Sequence, residues 1–573
     1  MIGLNNIARN IPGLQDAIVK FDPKIGTGRF SFQKVKDTFE TALAETQPED
    51  SERIGALSKL VSAFKEYVLS TFIEKYRPGY SHQDERGIGV QTLVDDAFEK
   101  LGYKKENPIR FYQEKLEGVK KALMPSYKSE STRPEYYDWL DLTDRGVIKT
   151  SLTAAKEAAQ KIKNEGFFSH ALVMGMGGSS MCPKFLNTAF DSNAENGLQI
   201  ETMDNMDPAT LETKLAKLPA HETAFVIISK SGGTFEAAHV IQAIIDHLRA
   251  QNGGDLDKAL KTFAERAVFI TEPKEYEYHT SEGVKQGTNG GTLNKLADEL
   301  EKKTGTRPQM IDHPPRVGGR FSLFSPVGMF ISELKGLKTD EFIAGAKACL
   351  DEFFKGDLKD SSAVHYALLD ALAASKEGWG SFAARYVMPY GDRLAAIPEF
   401  TAQLAGESNN KDGVQSLNQM WGRGPTSHHS DVEALCRTDK RRLLFEEIFV
   451  KNNDEDRVHG QTGLDSLKDY QLKSMHQDML TKLALPFGKH LSKEKNNPVI
   501  STVLESINEK SMGYLMMRNM LATVIQAGIH NGDMNANLSK VVNQSEVEAF
   551  KVAKKNDAAE LGLSDVELKT QAA

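Results

Sequence analysis

Ser229, Ser231 and Thr234 place three hydroxyls around Lys230, Gly232 and Gly233, directly after the apolar run Val226-Ile227-Ile228. Those residue types do anion chemistry. Hydroxyls and unpaired backbone N–H groups at the start of a helix donate to a negative group, and the helix dipole favours it. The stretch reads either as a phosphate seat or as an ordinary strand-to-helix turn with a Ser/Thr cap. A second glycine loop, Gly175-Met176-Gly177-Gly178-Ser179-Ser180, also follows a short apolar run. Its rival reading is a dinucleotide fingerprint, with Asp204 after a second strand. Ser180 stands at the third glycine position, however, and that reading leaves Ser229–Thr234 without a task.

Other candidates for chemistry are single residues. Arg320 follows the rigid Pro314-Pro315 and Gly318-Gly319 loop, where a fixed guanidinium fork suits an anionic transition state; alternatively it is an ion-paired arginine. Gln403 and Glu407 lie near the end of a helix expected over 394–404, with Glu407 at the lip of a loop marked by Asn409, Asn410 and Gly413. His428 and His429 are adjacent, so their side chains diverge and metal binding is a poor fit. A proton shuttle suits one of them better. Lys551, alone, reads as a lysine on an exposed helix face.

These residues need a scaffold, and the pattern supplies one. Residues 1 to about 140 are polar and periodic, as at Leu57, Leu60, Val61, Phe64 and Val68, which predicts a mostly helical region. From about 150 strands and helices alternate. Strands are expected at Ala171–Met174, Leu198–Met203, Ala224–Ser229 and Val268–Thr271, and again at Phe382–Met388 and Arg441–Val450. That βαβ rhythm predicts parallel sheets covered on both faces, with ligands beyond the carboxyl ends of the strands. Helices are expected over 154–163, over 326–377, and in a tail at Leu467–Leu483, Val499–Ala527 and Ser545–Lys555.

At 573 residues the chain is too long for one core. The formal charge of −8 argues against nucleic acid as the main partner but leaves room for a small anion. Cys182, Cys349 and Cys436 are scattered, without disulfide or zinc spacing, which suits a reducing compartment. The start lacks the pattern of a signal peptide, and no apolar run approaches the ~20 residues needed to span a bilayer. A cytoplasmic protein with no membrane association is expected.

In chain order these blocks resemble the glucose-6-phosphate isomerase family. Gly175-Met176-Gly177-Gly178-Ser179 is similar to G-I-G-G-S, and Ser229-Lys230-Ser231-Gly232-Gly233-Thr234 to S-K-S-G-T-T. Val317–Ser322 is similar to V-G-G-R-[FY]-S, Gln403–Asn409 to Q-L-x-M-E-S-N, Thr426–Ser430 to T-D-Q-H-S, and Gln544–Lys551 to Q-P-G-V-E-A-Y-K. The likeness runs from about 140 to 555. It departs from the family at Gly233, which replaces a Thr, at Gly406 for a Met, at Ser427 for an Asp, and at His428 for a Gln.

The resemblance implies two doubly wound α/β sugar-isomerase domains, 141–325 and 326–573, after a helical region 1–140 and with long C-terminal helices. It implies interconversion of glucose 6-phosphate and fructose 6-phosphate. Gly178, Ser179, Ser229, Lys230, Ser231 and Thr234 would seat the phosphate, with Gln403 beside the reacting carbons. Glu407 would be the base, Arg320 would stabilise the enediolate, and His429 with Lys551 would open the ring. His429 is preferred to His428 because Ser430 follows it. No metal or organic cofactor is expected, and the family's shared sites imply a homodimer. Rival readings are a dual glucose and mannose 6-phosphate isomerase, a fusion with transaldolase, and a phosphosugar-binding regulator. Relatives of the first kind are far shorter and vary near the base, whereas this chain keeps Gln403 and Glu407; the second lacks room for a barrel before residue 130, and the third would not keep the acid–base set.

Overall fold

A computed structural model of the chain describes residues 69–70, 73–77, 79–80, 87–131, 133–134, 137–142, 147–190, 197–232, 235–280, 283–288, 290–374, 382–409, 416–437, 442–452, 464–466 and 474–530. The chain forms two compact units: Met1–Gln83 with Lys451–Leu485, and Asp84–Val450 with Pro486–Ala573. In the first, Ser474 caps a helical turn, Met475–Asp478, by accepting the Gln477 N–H at 2.9 Å, and the turn continues as a π-helical stretch, Met479–Ala484. The remainder of the helix expected over Leu467–Leu483 lies outside the described residues. So do Leu57 to Val68 and the helix expected at Ser545–Lys555.

The second unit is built on two sheets. β2 (His170–Gly175), β3 (Gln199–Met203), β4 (Thr223–Ile228), β5 (Ala267–Thr271) and β8 (Gln309–Asp312) form a wholly parallel sheet ordered β3-β2-β4-β5-β8. All six residues of β4 are buried, as a parallel strand covered on both faces requires. Alternate side chains divide between two cores. Ala224, Val226 and Ile228 face one, while Phe225 and Ile227 face the other. The winding order reverses between β2 and β4, so a crevice opens at their carboxyl ends. Both glycine loops leave there.

The other sheet comprises β1 (Val90–Leu93), β9 (Phe382–Tyr390), β10 (Gln419–Trp421), β11 (Arg442–Val450) and β12 (Val499–Leu504), ordered β1-β12-β11-β9-β10. Its parallel strands repeat the same reversal, between β9 and β11, and β1 joins β12 antiparallel. A separate hairpin, β6 (Glu275–Thr280) with β7 (Gly283–Thr288), stands between β5 and the helix Thr292–Thr304. Gly287 lets the Tyr276 ring lie across it, since a Cβ there would come within 2.4 Å of that ring.

Helices cover these sheets: α1 (Val147–Asn164), α2 (Gly178–Ala189), α3 (Phe235–Gln251), α4 (Pro326–Leu334), α5 (Thr339–Lys355), α6 (Ser362–Ala374), α7 (Ala396–Ser408) and α8 (Glu509–His530). Leu515, Met516, Met517, Leu521, Val524 and Ile525 of α8 are all buried, which marks a helix enclosed on every side rather than amphipathic. No helix among the described residues is long and apolar enough to cross a membrane.

Two expectations need correction. The helix expected over Val499–Ala527 is a buried strand, β12, followed by α8 from Glu509. Its β-branched run Val499, Ile500, Thr502, Val503 favours a strand, but a continuous apolar run does not reveal its own period. Among the described residues before about 140 one short strand, β1, lies beside helices such as Gln113–Tyr127, and four residues carry too little pattern to separate a strand from a loop. The helix expected over 394–404 runs to Ser408. Glu407 therefore sits on its last turn, and not at the lip of a loop.

Candidate active site

The two loops and α7 meet at the crevice. Gly177, at φ +56°, turns the chain from β2 into α2, a left-handed conformation suited to glycine. Gly178 then presses backbone to backbone against the second glycine pair: a Cβ there would lie 2.1 Å from the Gly319 carbonyl carbon and 2.2 Å from Arg320 N. Gly178→Ala must push the Arg320 loop away, because neither backbone is a flexible end. The expected outcome is a loss of about 1–3 kcal/mol in urea unfolding, the usual cost of overpacking, together with a fall in kcat as Arg320 shifts. Full activity with unchanged stability would show that the loop yields freely.

Ser229 ends the β4 extension and is buried, and Ser231 is exposed. Thr234, with Gly233, lies outside the described residues. The loop's carbonyls turn onto the connection from β5 to the helix Thr292–Thr304. Lys230 O accepts from Glu272 N (3.0 Å) and Thr271 Oγ1 (3.1 Å), and Gly232 O accepts from Leu293 N (3.1 Å). Tying carbonyls to the rear leaves the anion-binding work to hydroxyls and N–H groups. Ser179, also buried, opens α2 beside them.

Arg320 sits in a short turn, Gly319–Phe321, held from behind. Val317 bridges to Tyr137, Arg316 donates to the carbonyls of Arg133 (3.1 Å) and Pro134 (2.7 Å), and Trp139 stacks on Phe321 at 4.9 Å. Its guanidinium then grips the end of α7. Nη1 donates to Glu407 Oε2 (3.0 Å), Nη2 to the Glu407 carbonyl (3.1 Å) and Nε to Ser408 Oγ (2.8 Å). Gln403, one turn earlier, donates Nε2 to Glu407 Oε1 at 3.1 Å. Both carboxylate oxygens are thus held, and a cation sits at a helix C-terminus, where the dipole favours it. The Arg320 side chain is 2% exposed and that of Glu407 30%. The carboxylate is the part that a ligand can reach.

Positive charge gathers here at the cost of solvation. Burial lowers the Arg320 pKa against the opposing pull of Glu407. Lys230 is lowered by burial too, with Glu272 3.5 Å away opposing and Arg320 adding to the fall. His313 is pushed down to about 3 by burial and by Lys230, so it is a neutral imidazole near neutral pH. Among the described residues no group of three or more His, Cys, Asp or Glu is placed to hold a metal ion.

The two histidines diverge as expected, on a short turn, Thr426–His429. His428 is half-buried, with Nε2 2.8 Å from the Tyr390 hydroxyl and its ring against Phe487, and burial lowers its pKa. His429 is exposed and takes no part in the Arg320, Gln403 and Glu407 contacts. Lys551 lies outside the described residues. Sequence reasoning missed Glu272, although its place one residue beyond β5 matches that of Ser229 after β4.

Two sheets of parallel strands wound with the same reversal, the second with an antiparallel edge strand, and a carboxylate held at the carboxyl edge of the first define the α/β sugar-isomerase fold. The crystal structure of a glucose-6-phosphate isomerase from Chlamydia trachomatis superposes with a TM-score of 0.61 at 16% identity, covering 89% of this chain and 99% of that one. A hypothetical protein from Thermus thermophilus gives 0.63 at 21% identity, covering 82% and 100%. These likenesses concern the fold. The phosphoglucose isomerase profile matches residues 148–275 and 293–422. Over those stretches the chain is similar to that family. It is 28% identical over 362 residues to the glucose-6-phosphate isomerase of Carboxydothermus hydrogenoformans, which spans 61% of this chain and 68% of the relative. With that of Rubrobacter xylanophilus it shares 26% over 388 residues, 66% and 81% of the two chains. Nearly all of the β6–β7 hairpin falls between the two matched stretches.

Proposed function

We propose that the protein is an aldose–ketose isomerase that interconverts glucose 6-phosphate and fructose 6-phosphate. The observation that carries this reading is Glu407, its two oxygens held by Arg320 and Gln403 at the carboxyl edge of a parallel sheet. Ser179, Ser229, Ser231 and Thr234, with Lys230 and the Gly178 backbone, bind the phosphate and so fix the far end of the sugar. Glu407 carries a proton between C2 and C1 through an enediol. Arg320 already touches this carboxylate, so it lies within reach of negative charge that develops on the adjoining oxygens. Gln403 hydrogen-bonds beside it. His429 and Lys551 exchange protons with the ring oxygen and O1 to open the pyranose.

Residues 141–325 and 326–573 then act as paired sugar-isomerase halves, after a helical region 1–140, in a cytoplasmic enzyme that works as a homodimer. One feature supports the dimer. Edge strand β10 exposes Met420 and Trp421 and leads within a few residues to the exposed His429. A second copy that covered the apolar pair would receive His429 near its own site.

The test is a coupled assay of fructose 6-phosphate turnover, run with chelator present and with mannose 6-phosphate in parallel. Chelator-resistant turnover of the glucose and fructose pair alone is expected. Turnover of both pairs would mean dual specificity. Phosphosugar binding without turnover would return the protein to the regulator class.

A further inference from the structure

We infer that Asn409 and Gln526 form a buried amide pair that positions Glu407. Asn409 is the C-cap of α7, two residues beyond the carboxylate, and its N–H donates to Ala405 O at 2.9 Å. Its side chain is fully buried, and Nδ2 donates to Gln526 Oε1 of α8 at 2.7 Å; Gln526 is 2% exposed. The last turn of α7 is thereby held on two sides. Arg320 grips Glu407 and Ser408, and Gln526 grips the next residue from the core helix.

Asn409 Oδ1 and Gln526 Nε2 have no hydrogen-bond partner among the described residues. Reversing both amides changes which is donor and which acceptor, and again leaves one atom of each kind unpaired. The pair accordingly rests on a single hydrogen bond in a buried setting. Loss of either partner leaves the other wholly unsatisfied, and relief requires the helix end to move. A movement of about 1 Å at a reacting carboxylate can cost on the order of 10²-fold in rate. The buried amides therefore act on turnover through the placement of Glu407, without touching substrate.

This inference rests on the isomerase reading, for which wild-type turnover in the same assay is the control. The experiment compares Asn409→Leu, Gln526→Leu, the double variant, and the exchanged pair Asn409→Gln with Gln526→Asn. Each single leucine is expected to lower kcat for fructose 6-phosphate about 10- to 100-fold with KM nearly unchanged. The double variant should be no worse than the poorer single one, because residues that act as one unit are not additive. The exchanged pair keeps the summed side-chain length and should recover most of kcat. Losses that multiply in the double variant would overturn the proposal. So would kcat within twofold of wild type in both singles, or a fall in thermal stability that the exchanged pair repairs while kcat stays low.

Discussion

Glu407→Gln is expected to lower kcat for fructose 6-phosphate by about 10²–10⁴-fold, the range for loss of a general base. KM should move by no more than about threefold, because the interaction removed belongs to proton transfer and not to uniform binding. The geometry explains the split. Glutamine has the same shape and leaves Arg320 its bonds to the residue 407 carbonyl and to Ser408 Oγ. The buried guanidinium is not stranded, and the Gly319–Phe321 turn keeps its place. Nothing changes at the phosphate end, where Ser229 and Lys230 are fixed by the β5 connection. Steady-state kinetics with calorimetric titration of the phosphosugar would separate the two effects. Loss of binding along with turnover would make Glu407 a structural anchor, and unchanged turnover would remove it from the chemistry.

What was legible in the sequence depended on how local its cause was. β2, β4 and β5 announce themselves as short apolar runs ending in glycine or hydroxyl loops, and the parallel sheet follows from their alternation with helices. β1 and β12 do not, since each is stabilised by partners far along the chain: Val90 pairs with Leu504. The same holds at the site. The glycine and serine loops are visible as loops, because their residue types fix backbone behaviour. Arg320 and Glu407 lie 87 positions apart, and no spacing rule joins them; only the resemblance to a family predicted that they meet. Asn409 and Gln526 are 117 apart, and a glutamine within a helix gives no signal of its partner. Glu407 reads as lying at the lip of a loop for a related reason. Helix ends are set by caps and tertiary grips, here Arg320 and Gln526, that a local pattern does not contain.

Glu446→Leu should destabilise the second unit by about 3–5 kcal/mol, the usual result of removing one partner from a buried ion network. Glu446 lies on β11, fully buried, and joins most of its sheet. Oε2 accepts from Arg385 Nη2 of β9 (2.8 Å) and from the Tyr366 hydroxyl of α6 (2.7 Å). Oε1 accepts from Thr502 Oγ1 of β12 (3.0 Å) and from Arg518 Nη2 of α8 (3.2 Å). The two guanidiniums lie 3.8 and 4.2 Å from the Tyr366 ring centroid, and Arg385 also meets Asp370 at 2.7 Å. Leucine would leave Arg385 with Asp370 alone and Arg518 with only the neutral Thr92, Thr502 and Asn519, so its better packing cannot compensate. Glu446→Gln keeps the shape and one acceptor, and should cost less. Acid provides an independent check. Burial tends to raise the Glu446 pKa, but Arg385 and Arg518 outweigh it and hold the group below its ordinary value. A carboxylate depressed on folding contributes stability above its unfolded pKa, and loses that contribution as pH falls through the folded one. Urea unfolding of wild type should therefore weaken as pH drops below the ordinary carboxylate range, and the leucine variant should show a shallower decline. A difference near zero at pH 7, or identical acid profiles, would mean that neighbouring groups neutralise the arginines without Glu446.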